Sequence, residues 1–418
     1  MTRTHSTGFQ EASQLMDFRL STEQALFQRT VREFAERALQ PRARQIDSAR
    51  QGIPDEIIRE MAGLGLFGVT IPEEYGGAAM PGDEIVYATL AIHELARADL
   101  SMSVPVYTLL CQGWGFLLAR HGTEEAKREI LPRVASGEWF LGIATTEAGG
   151  GSDLANIKST ARHDGDRLGI NGEKTYISGA EEATSRGGGH LTLFRTDVAA
   201  GHRGMTFAYV PAGAPGVSTT LLDDVGRGGL STGAFRYQDV EIPTRYVLGE
   251  INRGFYVNME GFNAARTLVA SACVGGAERA LEMGRDWVKE RVAFGRPLAN
   301  FEGISFEIAE DRGRLEMLRH FLLRSAWMID QHYKDGSVTQ REINEAVAAC
   351  KLSAPSLCLD VVKHALMYHG AFGFTKDCPL EMAYRGVLSY LVGAEGGANI
   401  MKLIIAREFI GAEAIPYR

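Results

Sequence analysis

The hydrophobic period of this chain changes twice, and that change most constrains its fold. Near the N-terminus Phe27, Val31, Phe34 and Ala38 recur every three or four residues behind Ser21 and Gln24, which have capping-box spacing. Pro41 marks a boundary, and Ile57, Met61 and Leu64 repeat the pattern before Gly63, Gly65 and Gly68 break it. The run from Ile71 to Gly77 reads as a turn-rich connector. From about residue 138 to 250 the period becomes two: Leu191–Phe194, Met205–Val210 and Phe235–Ile242 alternate or run β-branched between Gly and Pro. After Gly254 helices return, and Ile304, Ile308, Leu315, Leu318, Leu322, Ala326 and Ile329 make one long apolar stripe. The expected class is α+β, mostly α. A disordered tail (1–16) precedes an N-terminal helical domain (17–137), a small central β-barrel or sandwich domain (138–250) and a C-terminal four-helix bundle (251–418).

At 418 residues the chain is long enough for several domains and a large core. A net charge of -8 leaves no clustered basic footprint, which excludes nucleic acid as an expected partner. Cys111, Cys273, Cys350, Cys358 and Cys378 are scattered without ligand spacing, so neither a disulfide framework nor a metal site is expected. They suit a reducing compartment, and Met1–Gln14 has no apolar stretch of the kind a secretory signal needs, so a cytoplasmic location is expected. Leu100–Ala119 carries no charge, but Pro105, Gln112, Gly113 and Gly115 interrupt it, so it reads as a buried core helix and not a membrane span.

The chemistry concentrates in two distant segments. Glu395 stands in Gly393-Ala394-Glu395-Gly396-Gly397-Ala398-Asn399, just ahead of an apolar helix. A carboxylate there can be poorly hydrated, which raises its pKa toward that of a working base; alternatively it is a helix-entry residue favoured by the helix dipole. Far upstream lie Ile143-Ala144-Thr145-Thr146-Glu147-Ala148-Gly149-Gly150-Gly151-Ser152 and Gly172-Glu173-Lys174-Thr175-Tyr176-Ile177-Ser178. With Arg291-Val292-Ala293-Phe294-Gly295-Arg296 these runs stand in an order that resembles the acyl-CoA dehydrogenase family, from about residue 17 to the C-terminus.

That resemblance implies an FAD-dependent α,β-dehydrogenation of an acyl-CoA thioester, with Glu395 as the base and its backbone N–H on the thioester oxygen. Some members place the base just before a helix arginine; here that position is Ala265, before Arg266, which leaves the role to Glu395. Flavin contacts fall on Ile143, Thr145, Thr146, Gly151, Ser152, Tyr176 and Ser178, and on Gly397 and Asn399. Arg291, Phe294, Met367, Gly370 and Ala371 match residues that reach the adenosine half of flavin held by a neighbouring subunit, implying an oligomer, most simply a tetramer. Ser152, Asn263, Arg266, Ala394 and Gly396 fall where acyl-CoA is held, and an electron-transferring flavoprotein is the implied acceptor. No metal is implied.

The chain also departs from the family. Met367 replaces a glutamine, Ala371 a glycine and Glu302 a glutamine, all on the adenosine side, where a carboxylate near a pyrophosphate is repulsive unless it points away. Ser185–His190 is an unusual glycine loop, with His190 read as a strand-entry residue. Tyr176 alone would pass for core packing, Ser152 for a turn serine and Arg291 for a solvated helix arginine. Ala394 and Gly397 stand where straight-chain members carry tyrosine and threonine, so a branched or alicyclic acyl group is expected, with a straight chain as the alternative. The arginine that glutaryl-type members aim at a distal carboxylate falls at Ser103. Two rivals remain: a relative that eliminates sulfinate or opens nitroalkanes, and an acyl-CoA-binding protein that has lost flavin.

Overall fold

The computed structural model describes residues 19–415; the tail at 1–16 lies outside them. The N-terminal region is helical: α1 (Thr22–Phe34), α2 (Ala43–Ala49), α3 (Asp55–Gly63), α4 (Glu84–Ala98), α5 (Ser103–His121) and α6 (Glu124–Ala135). Ser21 and Gln24 make both bonds of the capping box at the start of α1. Pro41 lies in a 3-10 turn that passes the chain from α1 into α2. The uncharged stretch is α5, buried along nearly its whole length, and among the described residues no helix is long and apolar enough to cross a membrane.

The middle of the chain is a curled sheet of β1 (Phe140–Ala144), β2 (Thr160–Asp164), β3 (Arg167–Ser178), β4 (Gly188–Arg195), β5 (Met205–Pro211), β6 (Val217–Leu222) and β7 (Thr232–Pro243), with the short helix α7 (Ala180–Ser185) before β4. β1 runs parallel to β4 with Phe140 opposite Gly188, and β5 runs antiparallel to it. The order then continues β2, β3, β7, β6. Half of the expected glycine loop at Ser185–His190 is strand: Gly188, Gly189 and His190 open β4 and are buried. Glycine is required there because a Cβ on Gly188 would lie 2.0 Å from the Phe140 carbonyl oxygen. His190 accordingly packs between Phe140 and Phe235, and burial lowers its pKa to about 4, so it stays neutral against the Ser178 carbonyl.

The helices α8 (Gly254–Glu290), α9 (Glu302–Asp335), α10 (Gln340–Tyr368), α11 (Leu380–Val392) and α12 (Ala398–Phe409) complete the chain, with a small hairpin of β8 (Val292–Ala293) and β9 (Arg296–Pro297) after α8. The expected stripe is the inner face of α9, where Leu315, Leu318, Leu322, Ala326 and Ile329 are buried. α8 packs against α4, α5, α9 and α10. Asp330 of α9 reaches across to α4, accepting the N–H groups of Ile85 and Val86 at 2.9 Å and satisfying donors that the helix start leaves open. One continuous apolar core runs from Val31 through the sheet to Tyr390.

Candidate active site

Glu395 lies between α11 and α12 on a backbone that L-residues avoid. Ala394, Glu395 and Gly396 have φ of 53°, 51° and 104° in succession. Two non-glycine residues in the left-handed region cost about 1–2 kcal/mol each. Such a conformation persists only where the surroundings impose it, and two buried cations do so. Arg266 of α8 donates from Nε to the Glu395 carbonyl at 2.8 Å, and from Nη1 to Asn263 Oδ1 at 3.2 Å. Lys351 of α10 donates from Nζ to the Tyr390 carbonyl at 3.1 Å and to the Gly396 carbonyl at 3.4 Å. Asn263 is itself braced by a 2.9 Å bond to Asn344. Glu395 makes no cap bond to α12, whose N-cap is Gly397. Desolvation raises its carboxyl above the ordinary range, while the charges of Lys351, Arg266 and Arg227 pull the other way.

The sheet supplies the opposite wall. The Thr145–Gly151 turn is held by a buried ion pair, Lys174 Nζ to Glu147 Oε1 at 2.9 Å, and Glu147 also accepts from Ser159 and the Lys158 N–H. The Thr175 N–H donates to the Thr146 carbonyl at 2.9 Å, which ties that turn to β3. A register shift between Lys174 and Ile177 places Tyr176 at φ 59° and leaves it 69% exposed, so it is not a core aromatic. An exposed ring on a strained bulge, between Thr146 and Ser178, suits a flat ligand with polar edges. Arg227 links the two walls: its guanidinium reaches Ser178 Oγ at 3.4 Å and Thr232 Oγ1 at 3.5 Å, and its charge is felt at Glu395. Ile143, Gly151 and Ser152 border the turn, Gly151 and Ser152 exposed; Gly397 and Asn399 flank the Glu395 loop.

The remaining candidates sit elsewhere. Arg291 caps the C-terminal end of α8, 25 residues after Arg266, which at helical rise is about 38 Å along the axis. Trp287 stacks on His369 and Phe372 with ring centroids 4.5 and 5.7 Å away, so Met367, Gly370 and Ala371 share that remote end. Phe294 is 96% and Met367 68% exposed, and Glu302, the first residue of α9, is exposed too.

Three domain families match in chain order: "Acyl-CoA dehydrogenase, N-terminal domain" over residues 21–138, "middle domain" over 142–240 and "C-terminal domain" over 252–410. The chain belongs to the acyl-CoA dehydrogenase family. An acryloyl-CoA reductase (NADH) of Anaerotignum propionicum is 32% identical over 95% of this chain and 97% of its own length. A mitochondrial isobutyryl-CoA dehydrogenase of Dictyostelium discoideum is 30% identical, covering 93% of this chain and 89% of its own. The solved glutaryl-coenzyme A dehydrogenase in complex with glutaryl-CoA superposes with a TM-score of 0.87 at 30% identity, over 94% of this chain and 97% of that one. This acyl-CoA dehydrogenase is therefore a flavoprotein oxidoreductase, with FAD as its cofactor. The exposed Tyr176 and the polar Thr146 and Ser178 fit such a ring. Two site residues escaped the sequence reading: Lys351 and Arg227. A lysine inside the apolar run Ala348-Ala349-Cys350-Lys351-Leu352-Ser353-Ala354-Pro355 was the available signal for the first.

Proposed function

We propose that this acyl-CoA dehydrogenase oxidises a branched or alicyclic acyl-CoA to the 2-enoyl-CoA, with Glu395 taking the α-proton. The observation that carries this reading is the Glu395 loop itself, a desolvated carboxylate on a backbone whose carbonyls are held by Arg266 and Lys351, bordered by Ala394 and Gly397, which lack the bulk to fill space beside it. FAD, when bound, accepts the β-hydride. Thr146, Tyr176 and Ser178 would hold its ring, the Glu395 N–H would donate to the thioester oxygen, and Arg266 fixes the carbonyl of the same residue so that the carboxylate keeps its aim. Retention of the base speaks against the sulfinate-eliminating relatives.

The isobutyryl-CoA dehydrogenase relative supports a branched substrate. A distal carboxylate is disfavoured at Ser103, which is buried, accepts the Gly229 N–H at 3.0 Å and pairs with the Ser101 hydroxyl at 2.9 Å. Five buried free cysteines support work in a reducing, cytoplasmic compartment, with an electron-transferring flavoprotein as acceptor. The test is anaerobic titration with cyclohexanecarboxyl-, isobutyryl-, butyryl-, octanoyl- and glutaryl-CoA, following flavin bleaching, and then kcat/KM under one acceptor. A pocket fitted by a few methylenes discriminates by ~1–3 kcal/mol, so one of the first two should lead by at least about tenfold. A clear win for butyryl-, octanoyl- or glutaryl-CoA overturns the substrate assignment.

A further inference from the structure

Lys351 is a buried cation that donates to two main-chain carbonyls, one on each side of the base: Tyr390, near the end of α11, and Gly396, just after Glu395. It sits four residues before Pro355, which has no N–H, so the Lys351 carbonyl receives no helical bond and α10 is loosened where the side chain leaves it. Around this ammonium, α8 contributes Arg266 and the Cys273 thiol, the turn before β7 contributes Arg227 through Glu395, and α11 contributes the Tyr390 carbonyl.

Building on the reading of Glu395 as the base, we propose that Lys351 is a positioning residue that does two separable things: it clamps the left-handed Ala394–Gly396 backbone through two carbonyls, and its charge compensates the desolvated carboxylate, so that Glu395 is ionised and aimed before substrate arrives. The clamp belongs to the N–H donors and the compensation to the charge. Desolvation drives the Glu395 carboxyl up and Lys351 is the foremost influence holding it down, so loss of the charge moves the proton affinity of Glu395 upward.

Three substitutions separate the parts. Lys351→Gln keeps an amide donor and loses the charge, Lys351→Met loses both, and Lys351→Arg keeps both. In single-turnover flavin reduction, the rise of rate with pH should move upward by about one unit in Lys351→Gln and Lys351→Met and stay near the parent position in Lys351→Arg. A merely structural loss lowers the rate without moving that rise. In the FAD-bound protein without substrate, hydrogen exchange of the peptide spanning 390–400 should speed up by about tenfold or more in Lys351→Met, and far less in Lys351→Gln and Lys351→Arg. Should Lys351→Met fail to fold, the comparison of Lys351→Gln with Lys351→Arg still reads the charge. An unmoved pH rise in Lys351→Gln, or unchanged exchange in Lys351→Met, overturns the proposal. Glu395→Gln separates the two readings: a rise that survives in it belongs to another group and sinks the base assignment. A rise that vanishes with Glu395 yet stays put in Lys351→Gln sinks only the role of Lys351.

Discussion

Backbone strain marks this site as clearly as charge does. Of the non-glycine residues with positive φ, Tyr176, Ala394 and Glu395 are positions that sequence motifs tie to flavin or substrate, Phe294 is another at the remote end of α8, and Arg227 reaches Ser178 beside Tyr176. Strain of this kind collects where geometry has been fixed for function. It also makes one substitution unusually clean. Glu395→Gln keeps the shape and the backbone preference of the residue and removes only its capacity to accept a proton. We expect the variant to retain FAD and bind acyl-CoA while losing flavin reduction by roughly 10²- to 10⁴-fold, the range general-base catalysis supplies. Stopped-flow reduction beside the absorbance spectrum of bound flavin checks this; substantial residual reduction with full flavin content means that another group is the base.

At the scale of elements, α4 and α8 cross so closely that a Cβ on Gly275 would lie 2.3 Å from the His93 carbonyl oxygen. Beside that crossing the His93 ring lies between two carboxylates, Nδ1 at 3.1 Å from Glu94 and Nε2 at 3.1 Å from Glu278. Burial opposes its protonation, but the two partners prevail and raise it to about 9. A histidine whose folded pKa is raised stabilises fully below its unfolded value, near 6.5, and loses that contribution as pH climbs through about 9. The melting gap between the parent and His93→Gln should therefore be widest near pH 6 and close above pH 9, a span worth about 3 kcal/mol at most. A gap independent of pH in thermal melts contradicts a charged His93. Elements of this kind were unevenly legible. β4, β5 and β7 announce themselves by alternation, and α9 by its stripe. β1 is apolar and almost wholly buried, so it has no alternation to read; β6 is Ser- and Thr-rich and mostly exposed; β3 is broken by two register shifts and by Gly169 and Gly172. The Glu395 loop was visible as composition and Arg266 as a candidate for holding acyl-CoA, but Lys351, Arg227 and the bond from Arg266 to the loop were not. Arg266 and Lys351 meet it from α8 and α10, and Arg227 comes from the turn before β7, contacts that only the packed chain creates.

For the whole molecule, the length of α8 poses a question that one chain does not answer. Arg266 meets Glu395 in its middle, whereas Arg291, at its end, lies about 38 Å farther along, beyond the reach of one dinucleotide touching both. That remote end is also apolar and uncovered: Phe294 is 96% exposed and Phe374 98%, with Met367 beside them. Exposed apolar groups gathered at one end suit a contact surface, and we propose that the adenosine half of a neighbour's FAD lies against Arg291 and Phe294. A cofactor seated across a subunit boundary links its own occupancy to assembly, because anything that binds only the assembled state stabilises that state by mass action. Arg291→Ala should accordingly lower the flavin content of the purified protein and shift it toward smaller species together, and excess FAD should restore both. Removing a single guanidinium–phosphate contact from a pair of this type costs about 1.5–3 kcal/mol, a loss of binding of roughly ten- to a hundredfold. Light scattering coupled to size exclusion, read with the flavin-to-protein absorbance ratio across an FAD titration, measures both quantities on one sample. If mass and flavin content both stay at the parent's values, Arg291 reaches no cofactor and the exposed end of α8 serves another contact; if flavin falls while mass holds, the cofactor contact stands without the linkage to assembly.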